Sequence, residues 1–451
     1  MVLKKTVRYM INTSLKSVLG LLYHSYVEKA WQLNQISYTR LQQKLFERMY
    51  RHAIGNVPYY VERKEQYPLY QGDIHYHRFL NMLPIISKET LRNDNELFVS
   101  RQKKRWCTTH TTSGTTGTPL TLYATPLERA LSFAVTVNWY RKIAEYQKAF
   151  PIIALSGFMT PGKEGELFWS SFGGREIFLN IYGLKPSNAD QLASIIAKHP
   201  GGMFFGYASA LAELARVIAG RLYHDKDKFV AVSTSEVLTP YYRTIIEQHL
   251  CRKVYDQYGS QEGCHLAVEC DAGYMHVHPH IGIVEVLNEY DKPCLNGELG
   301  RVVVTGFKHS MPLIRYDIGD SAIALDGPCP CGLVWPIIGP VAGRSEDLVI
   351  TPDGRKIGYL NFHSTKNLKG IVESQLIQRG YTSFAFNLVL QPELVSNNEY
   401  TSFNESLIIE ELQKRLGYHV QVEFAYLKDI PREGGRSKFK AVVVDFVADN
   451  N

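Results

Sequence analysis

The chain has 451 residues, 45% of them hydrophobic and 21% charged, with a formal net charge of +6. That length is too great for one ordinary domain, and the balance is that of a globular protein with a real core. The mild basicity suits anionic small molecules or a membrane surface, and is too weak to indicate nucleic acid. Seven cysteines, odd in number and unevenly spaced, do not look like a disulfide framework.

At the N-terminus Lys4, Lys5 and Arg8 precede an apolar run from Val18 to Tyr23. The run is interrupted and too short for a membrane-spanning helix or a signal peptide. Two readings stay open: an amphipathic helix touching a membrane surface, and a helix packed on the main domain. The expected location is cytoplasmic, with peripheral membrane contact under the first reading. Leu41, Leu45, Met49 and Ala53 recur at helical spacing, so residues 1–100 read as a helical region, broken at Asn56-Val57-Pro58-Tyr59-Tyr60.

From residue 101 the pattern changes. Strands are predicted at Pro151–Leu155, Glu176–Ile181, Met203–Phe205 and Phe229–Val232, with helices at Ala189–Lys198 and Ala208–Arg221 between them. Such alternation predicts an α/β domain with a largely parallel sheet. Closer-spaced strands over 274–325 predict a β-rich subdomain. Beyond Arg344, strands at Glu373–Gln378, Phe384–Leu390, His419–Tyr426 and Ala441–Phe446 accompany a helix at Glu405–Leu416, stopped by Gly417. The fold expected is therefore α/β, in three parts: 1–100, the helical start of a large domain; 101–343, its mixed or parallel core with the β-rich subdomain; and 344–451, a small mobile α+β domain.

The stretch richest in chemistry lies between the first two parts. Thr112 to Thr118 packs five hydroxyl side chains and two glycines into seven residues. Glycine lets backbone approach a ligand closely, and a concave run of N–H and O–H donors binds anions. The stretch reads as a phosphate-wrapping loop, although it lacks the Lys of a Walker loop. The basic run Arg101, Lys103, Lys104 and Arg105 precedes it.

Further motifs follow in order: Tyr258-Gly259-Ser260-Gln261-Glu262, Gly297-Glu298-Leu299-Gly300, Pro312 to Asp320 (PLIRYDIGD), and Gly343-Arg344-Ser345-Glu346-Asp347. With the hydroxyl stretch, this order and spacing resembles the adenylate-forming superfamily of acyl- and aryl-CoA synthetases. Within it, the chain resembles the phenylacetate–CoA ligase branch and its CapK-type, capsular-polysaccharide sub-branch, over nearly its whole length. The resemblance implies adenylation of a carboxylic acid by ATP with release of pyrophosphate, then acyl transfer. It implies that Thr112, Ser113, Gly114, Thr115, Thr116 and Gly117 hold the β- and γ-phosphates. Glu262 would ligate Mg²⁺, Asp320 would bind the ribose hydroxyls, and Tyr258, with Gly259 and Ser260, would lie near adenine. Arg344 would contact ribose or phosphate at the hinge. The acid pocket would draw on Tyr207, Ser209, Ser235, Glu236 and the end of the 258–262 segment.

A C-terminal turn, Gly434-Gly435-Arg436-Ser437-Lys438-Phe439-Lys440, resembles the turn that carries the superfamily's catalytic lysine. Lys438 is preferred and Lys440 is the alternative. Cys270 and His276, with Cys329-Pro330-Cys331-Gly332, resemble two zinc half-sites of some relatives, and thiolates with imidazole suit a structural tetrahedral Zn²⁺. His278 and His280 compete for the histidine position, and unligated reduced cysteines are the simpler alternative.

The sequence also departs from its relatives. Leu120 stands where the wider superfamily has Lys, Gln261 precedes Glu262 in place of Ser or Thr, Glu346 precedes Asp347 where a second Asp is common, and Thr351-Pro352-Asp353-Gly354 follows the hinge. The acceptor therefore stays open between CoA, an amine (which would make an amide-forming ligase) and a carrier. A non-catalytic nucleotide-binding scaffold in polysaccharide assembly is the rival class.

Overall fold

The computed structural model describes residues 19–72, 74–111, 120–142, 150–156, 166–171, 174–221, 225–235, 238, 240–342, 348–352, 356–358, 371–390, 405–410, 412–413, 416–428, 430 and 442–446. The chain divides into two compact units: Arg344–Asn451 with the short stretches 111–120 and 181–186, and the remainder.

In the larger unit the first long element is the helix Gln35–Asn56. Asn34 caps it by accepting from the Ser37 amide at 2.9 Å, and the Ser37 hydroxyl oxygen in turn accepts from the Asn34 amide at 2.9 Å. Tyr38, Phe46, Met49 and Ala53 form its buried stripe. Pro58 at the next helical turn accounts for the break.

Strands β1 (Thr108–Thr111) and β2 (Thr121–Ala124) flank the hydroxyl stretch in sequence. The central sheet then takes β3 (Ile152–Ser156), β4 (Phe168–Ser170), β5 (Glu176–Asn180), β6 (Gly202–Gly206), β7 (Phe229–Thr234) and β8 (Lys253–Gly259). Of these β5, β3, β6, β7 and β8 run parallel, with β4 antiparallel at the edge. Helices Ala189–Ala197, Ala208–Val217 and Pro240–His249 form the crossovers, which is why β6 and β7 are apolar on both faces. The Ala208 helix ends four residues short of its predicted stop at Arg221.

The predicted β-rich segment extends this same sheet. It comprises β9 (Leu266–Glu269), β10 (Met275–Val277), β11 (Gly282–Leu287), β12 (Leu299–Gly306), β13 (Tyr316–Ala324) and β14 (Ile337–Ala342), all antiparallel to their neighbours. The sheet reaches twelve strands, ordered β11-β12-β13-β14-β10-β9-β8-β7-β6-β3-β5-β4. Among the described residues no helix is long and apolar enough to cross a membrane.

In the smaller unit β15 (Leu348–Ile350) pairs with β16 (Lys356–Gly358). A separate four-stranded sheet has the order β19-β18-β17-β20, from β17 (Ile371–Gln378), β18 (Ser383–Leu390), β19 (Gln421–Tyr426) and β20 (Val442–Val444). Ile408, Leu412 and Leu416 pack on Leu376, Phe384, Phe386 and Leu388. Gly417, at φ 80°, donates its amide to Gln413 and ends the helix where the sequence placed the stop.

Candidate active site and Cys/His cluster

Parallel strands β7 and β8 end side by side, Thr234 against Gln257. The carboxyl ends of parallel strands are where open α/β sheets bind ligands. Past β7, exposed Ser235 sits in the left-handed region at φ 67°, a strained conformation for a residue with a side chain. Past β8 the chain turns through Ser260 to Gly263, closed by the Gly263 amide on the Ser260 carbonyl at 2.9 Å. Glu262 lies in that turn and is 7% exposed.

Antiparallel β13 brings two partners to this end. Tyr258 donates its phenol to Asp320 Oδ2 at 3.0 Å, so these two motif residues meet. Tyr316 donates to Glu262 Oε1 at 3.4 Å. Burial, then the charge of Glu262, pushes the Tyr316 hydroxyl pKa up, so the phenol stays a donor. The Tyr258 ring lies 4.5 Å from that of His265, which burial holds neutral, down to about 4. Both His265 nitrogens and the Ser260 hydroxyl are buried without a hydrogen-bond partner among the described residues.

β13 is itself fixed by a buried ion pair. Arg315, at φ 50° and 2% exposed, donates to Glu285 Oε2 at 3.2 Å and to the Leu83 carbonyl at 2.8 Å. Burial pushes the Glu285 carboxyl up against the pull of Arg315. Of the other expected site residues, Gly259 ends β8 and is exposed. Thr112, Ser113, Gly114, Thr115, Thr116, Gly117, Glu236, Arg344, Lys438 and Lys440 lie outside the described residues, as does the Ser209 side chain.

The second constellation sits among the antiparallel strands. The donor atoms of Cys270, His276, Cys329 and Cys331 all lie within 4.8 Å of one another. Cys270 follows β9, His276 is in β10, and the two remaining cysteines share a loop turned by Gly332 at φ 83°. The Cys270 and Cys329 sulfurs are 3.7 Å apart, and Cys331 Sγ is 3.2 Å from His276 Nε2. His276 Nδ1 lies 3.2 Å from the Trp335 carbonyl. A carbonyl only accepts, so Nδ1 carries the proton and Nε2 turns its lone pair to the sulfurs, the orientation a metal-ligating imidazole takes. His278 and His280 lie outside the cluster: His278 packs 4.7 Å from the Trp335 ring and His280 4.2 Å from Tyr26. Trp335 is 2% exposed, donates its indole N–H to the Ala30 carbonyl at 3.2 Å, and packs 4.7 Å from Trp31.

Other residues of this region carry no sequence signal. Tyr316 stood inside a motif with no role assigned. His265, Arg129, Glu128, His110 and Lys308 stand in no motif; His265 is singled out by its burial against Tyr258, and the other four by their polar contacts.

Residues 349–445 match the CapK C-terminal domain family. The phenylacetate–coenzyme A ligase of Thermus thermophilus is 24% identical, over 69% of this chain and 71% of that protein. Its namesake from Pseudomonas putida is 26% identical, over 69% and 72%. A 2-hydroxyisobutyryl-CoA ligase crystallised with 2-HIB-AMP and CoA superposes with a TM-score of 0.59 at 18% identity, covering 93% of this chain and 92% of that one. The same enzyme in its postadenylation state gives 0.55 at 17% identity, covering 93% and 92%.

The fold is that of the adenylate-forming ligases. In sequence the chain is similar to phenylacetate–CoA ligases over 69% of its length, and its C-terminal part matches the CapK C-terminal domain family.

Proposed function

We propose that the protein activates a small carboxylic acid with ATP and passes the acyl group to CoA. In the first half-reaction a substrate carboxylate oxygen attacks the α-phosphorus, the bond to the bridging oxygen breaks, and pyrophosphate leaves. In the second, a thiol attacks the acyl carbon and AMP leaves as the carbon–oxygen bond to phosphate breaks. The observation that carries the reading is the meeting of Tyr258 with Asp320 beside the Glu262 turn. Asp320 offers an acceptor pair matched to a ribose diol, with Tyr258 orienting it. Glu262, a buried hard oxygen donor, fits Mg²⁺. Bound there, Mg²⁺ would neutralise charge on the leaving phosphates. Thr112, Ser113, Thr115 and Thr116 would donate to those phosphates, Lys438 (or Lys440) would meet the reacting carboxylate, and 343–347 would be the hinge between the 101–343 core and the 344–451 domain.

The Cys/His cluster fits a structural Zn²⁺: three thiols, an imidazole with its free nitrogen inward, and four donors close enough to share one ion. The CapK-type match over 349–445 and the changed Thr351-Pro352 segment favour an acceptor used in surface-polysaccharide assembly as the second reading, with an amine or carrier in place of CoA. A cytoplasmic site of action with peripheral membrane contact belongs to this reading, supported by exposed Leu21 and Leu22.

ATP–pyrophosphate exchange over a panel of carboxylic acids tests the first half-reaction. Acid-dependent exchange in the wild type, with a raised KM for ATP in Asp320→Ala, is the expected result. Nucleotide binding without exchange for any acid would leave the scaffold alternative instead.

A further inference from the structure

The turn that carries Glu262 is held at two successive carbonyls by side chains that no motif assigns. Lys308, in the loop after β12, donates from Nζ to the Glu262 carbonyl at 2.6 Å. His110, in β1, lies with Nε2 3.0 Å from the Gln261 carbonyl. The proton on that ring is located by a third residue: Arg129 donates to His110 Nδ1 at 3.0 Å. A guanidinium has no acceptor, so Nδ1 must present its lone pair and Nε2 must carry the proton. The ring is thus neutral and donates to Gln261. Burial, joined by the charges of Arg129 and Lys308, holds its pKa below the usual histidine range.

Lys308 is aimed in turn by its own loop. The next two amides, of His309 and Ser310, both donate to Glu128 Oε1, at 2.8 and 2.9 Å. Glu128 Oε2 accepts from the Thr125 amide and hydroxyl, at 2.8 and 2.9 Å. Burial raises the Glu128 pKa, but the bonds from Ser310, Thr125 and His309 outweigh it and the carboxyl is held low. Gly263 makes room for the contact: at φ 61°, a Cβ there would stand 2.5 Å from Lys308 Nζ. Glu128 and Arg129 are neighbours at the start of the helix Pro126–Lys142. One helix start therefore backs both contacts, and in sequence it and β1 flank the hydroxyl stretch.

We infer that Lys308 and His110 form a two-carbonyl clamp that positions the Glu262 carboxylate as a divalent-cation ligand, with Glu128 and Arg129 as its backing. Fixing both carbonyls leaves Glu262 only its side-chain rotations, and Tyr316 restrains those. The inference rests on the reading of Glu262 as the Mg²⁺ ligand.

The test uses the full chain, Mn²⁺ as a paramagnetic stand-in for Mg²⁺, and α,β-methylene-ATP, which cannot be cleaved at the reacting bond. Free Mn²⁺ is counted by electron paramagnetic resonance, and nucleotide affinity is measured separately in EDTA. Lys308→Met should weaken Mn²⁺ binding about tenfold, as loss of an outer-sphere partner does, with nucleotide affinity in EDTA unchanged. Lys308→Arg, which keeps a donor, should return to within about threefold of wild type, and Arg129→Met should cost about threefold. Glu262→Gln is the control for the underlying reading. Wild-type Mn²⁺ binding in both Lys308→Met and Arg129→Met, with Glu262→Gln impaired, overturns the clamp and leaves the Glu262 reading standing. Equal weakness of Lys308→Met and Lys308→Arg overturns it too, since packing would then be the cause. Wild-type binding in Glu262→Gln overturns the reading beneath it. Should Lys308→Met not fold, Arg129→Met still decides.

Discussion

The two constellations of the larger unit sit on one sheet yet are built in opposite ways. Around Glu262 and Asp320, carboxylates are held by neutral phenols, and the turn between them is shaped by side chains acting on its backbone. Around Cys270, the side-chain donors face one another and no acid takes part in the four-donor group. The first arrangement leaves anionic oxygens to meet an incoming cation or diol. The second is closed on itself and ties a loop to two strands. Parallel strands suit the former, because their ends converge on one edge. Antiparallel strands suit the latter, because consecutive hairpins bring distant sequence into direct contact.

The largest expected effect separates the two. Cys329→Ser should remove about one equivalent of zinc per chain and cost several kcal/mol of stability, since metal binding free energy becomes folding free energy. Metal analysis and thermal melting check it; zinc-free protein from an unchelated preparation would end the structural-metal reading. Glu262→Gln should do the reverse, cutting ATP–pyrophosphate exchange on the order of 10²-fold while the melting temperature holds. A loss of stability without a specific loss of exchange would erase the contrast between the regions. Asp320→Ala should raise the KM for ATP by roughly 1–3 kcal/mol of lost binding, since ribose hydroxyls would lose their acceptor. An unaltered KM would free Asp320 from that role.

The smallest expected effect is one of acidity. His265, beside Tyr258, is pushed down to about 4 by burial, against an ordinary value of 6.5. A lowered folded-state pKa means that the unfolded chain takes the proton more readily. His265 thus contributes stability that is fully present above pH 6.5 and is lost as pH falls toward 4. Melting temperature should decline over that window, and His265→Asn should flatten the decline. An identical slope in the variant would assign the loss to other groups, His309 among them, which burial also pushes down to about 4.

Much of this was legible in the sequence. Alternating apolar runs located β3, β5, β6 and β7, and Gly417 located a helix end, because hydrophobic period and backbone freedom are local properties. The order of the motifs pointed to Glu262 and Asp320 as candidates. The choice of His276 over His278 and His280 was not legible, because all three alternate along one short segment and only the folded chain brings His276 alone to the cysteines, with its ring turned by the Trp335 carbonyl. Lys308, His110 and Glu128 were invisible for a related reason: each acts through bonds to backbone amides or carbonyls far along the chain, and those leave no residue pattern.

Trp335 has a consequence beyond packing. Its carbonyl orients His276, and its indole lies against His278 in a dry setting with Trp31 alongside. Ultraviolet excitation of the unlabelled protein therefore places an emitter one residue's width from a candidate zinc ligand. Of the five tryptophans, Trp106 is 61% exposed and supplies a red-shifted reference within the same spectrum. Fully buried Trp139 shares the blue edge, so the part of that emission contributed by Trp335 is what would respond to the filling and emptying of the cluster.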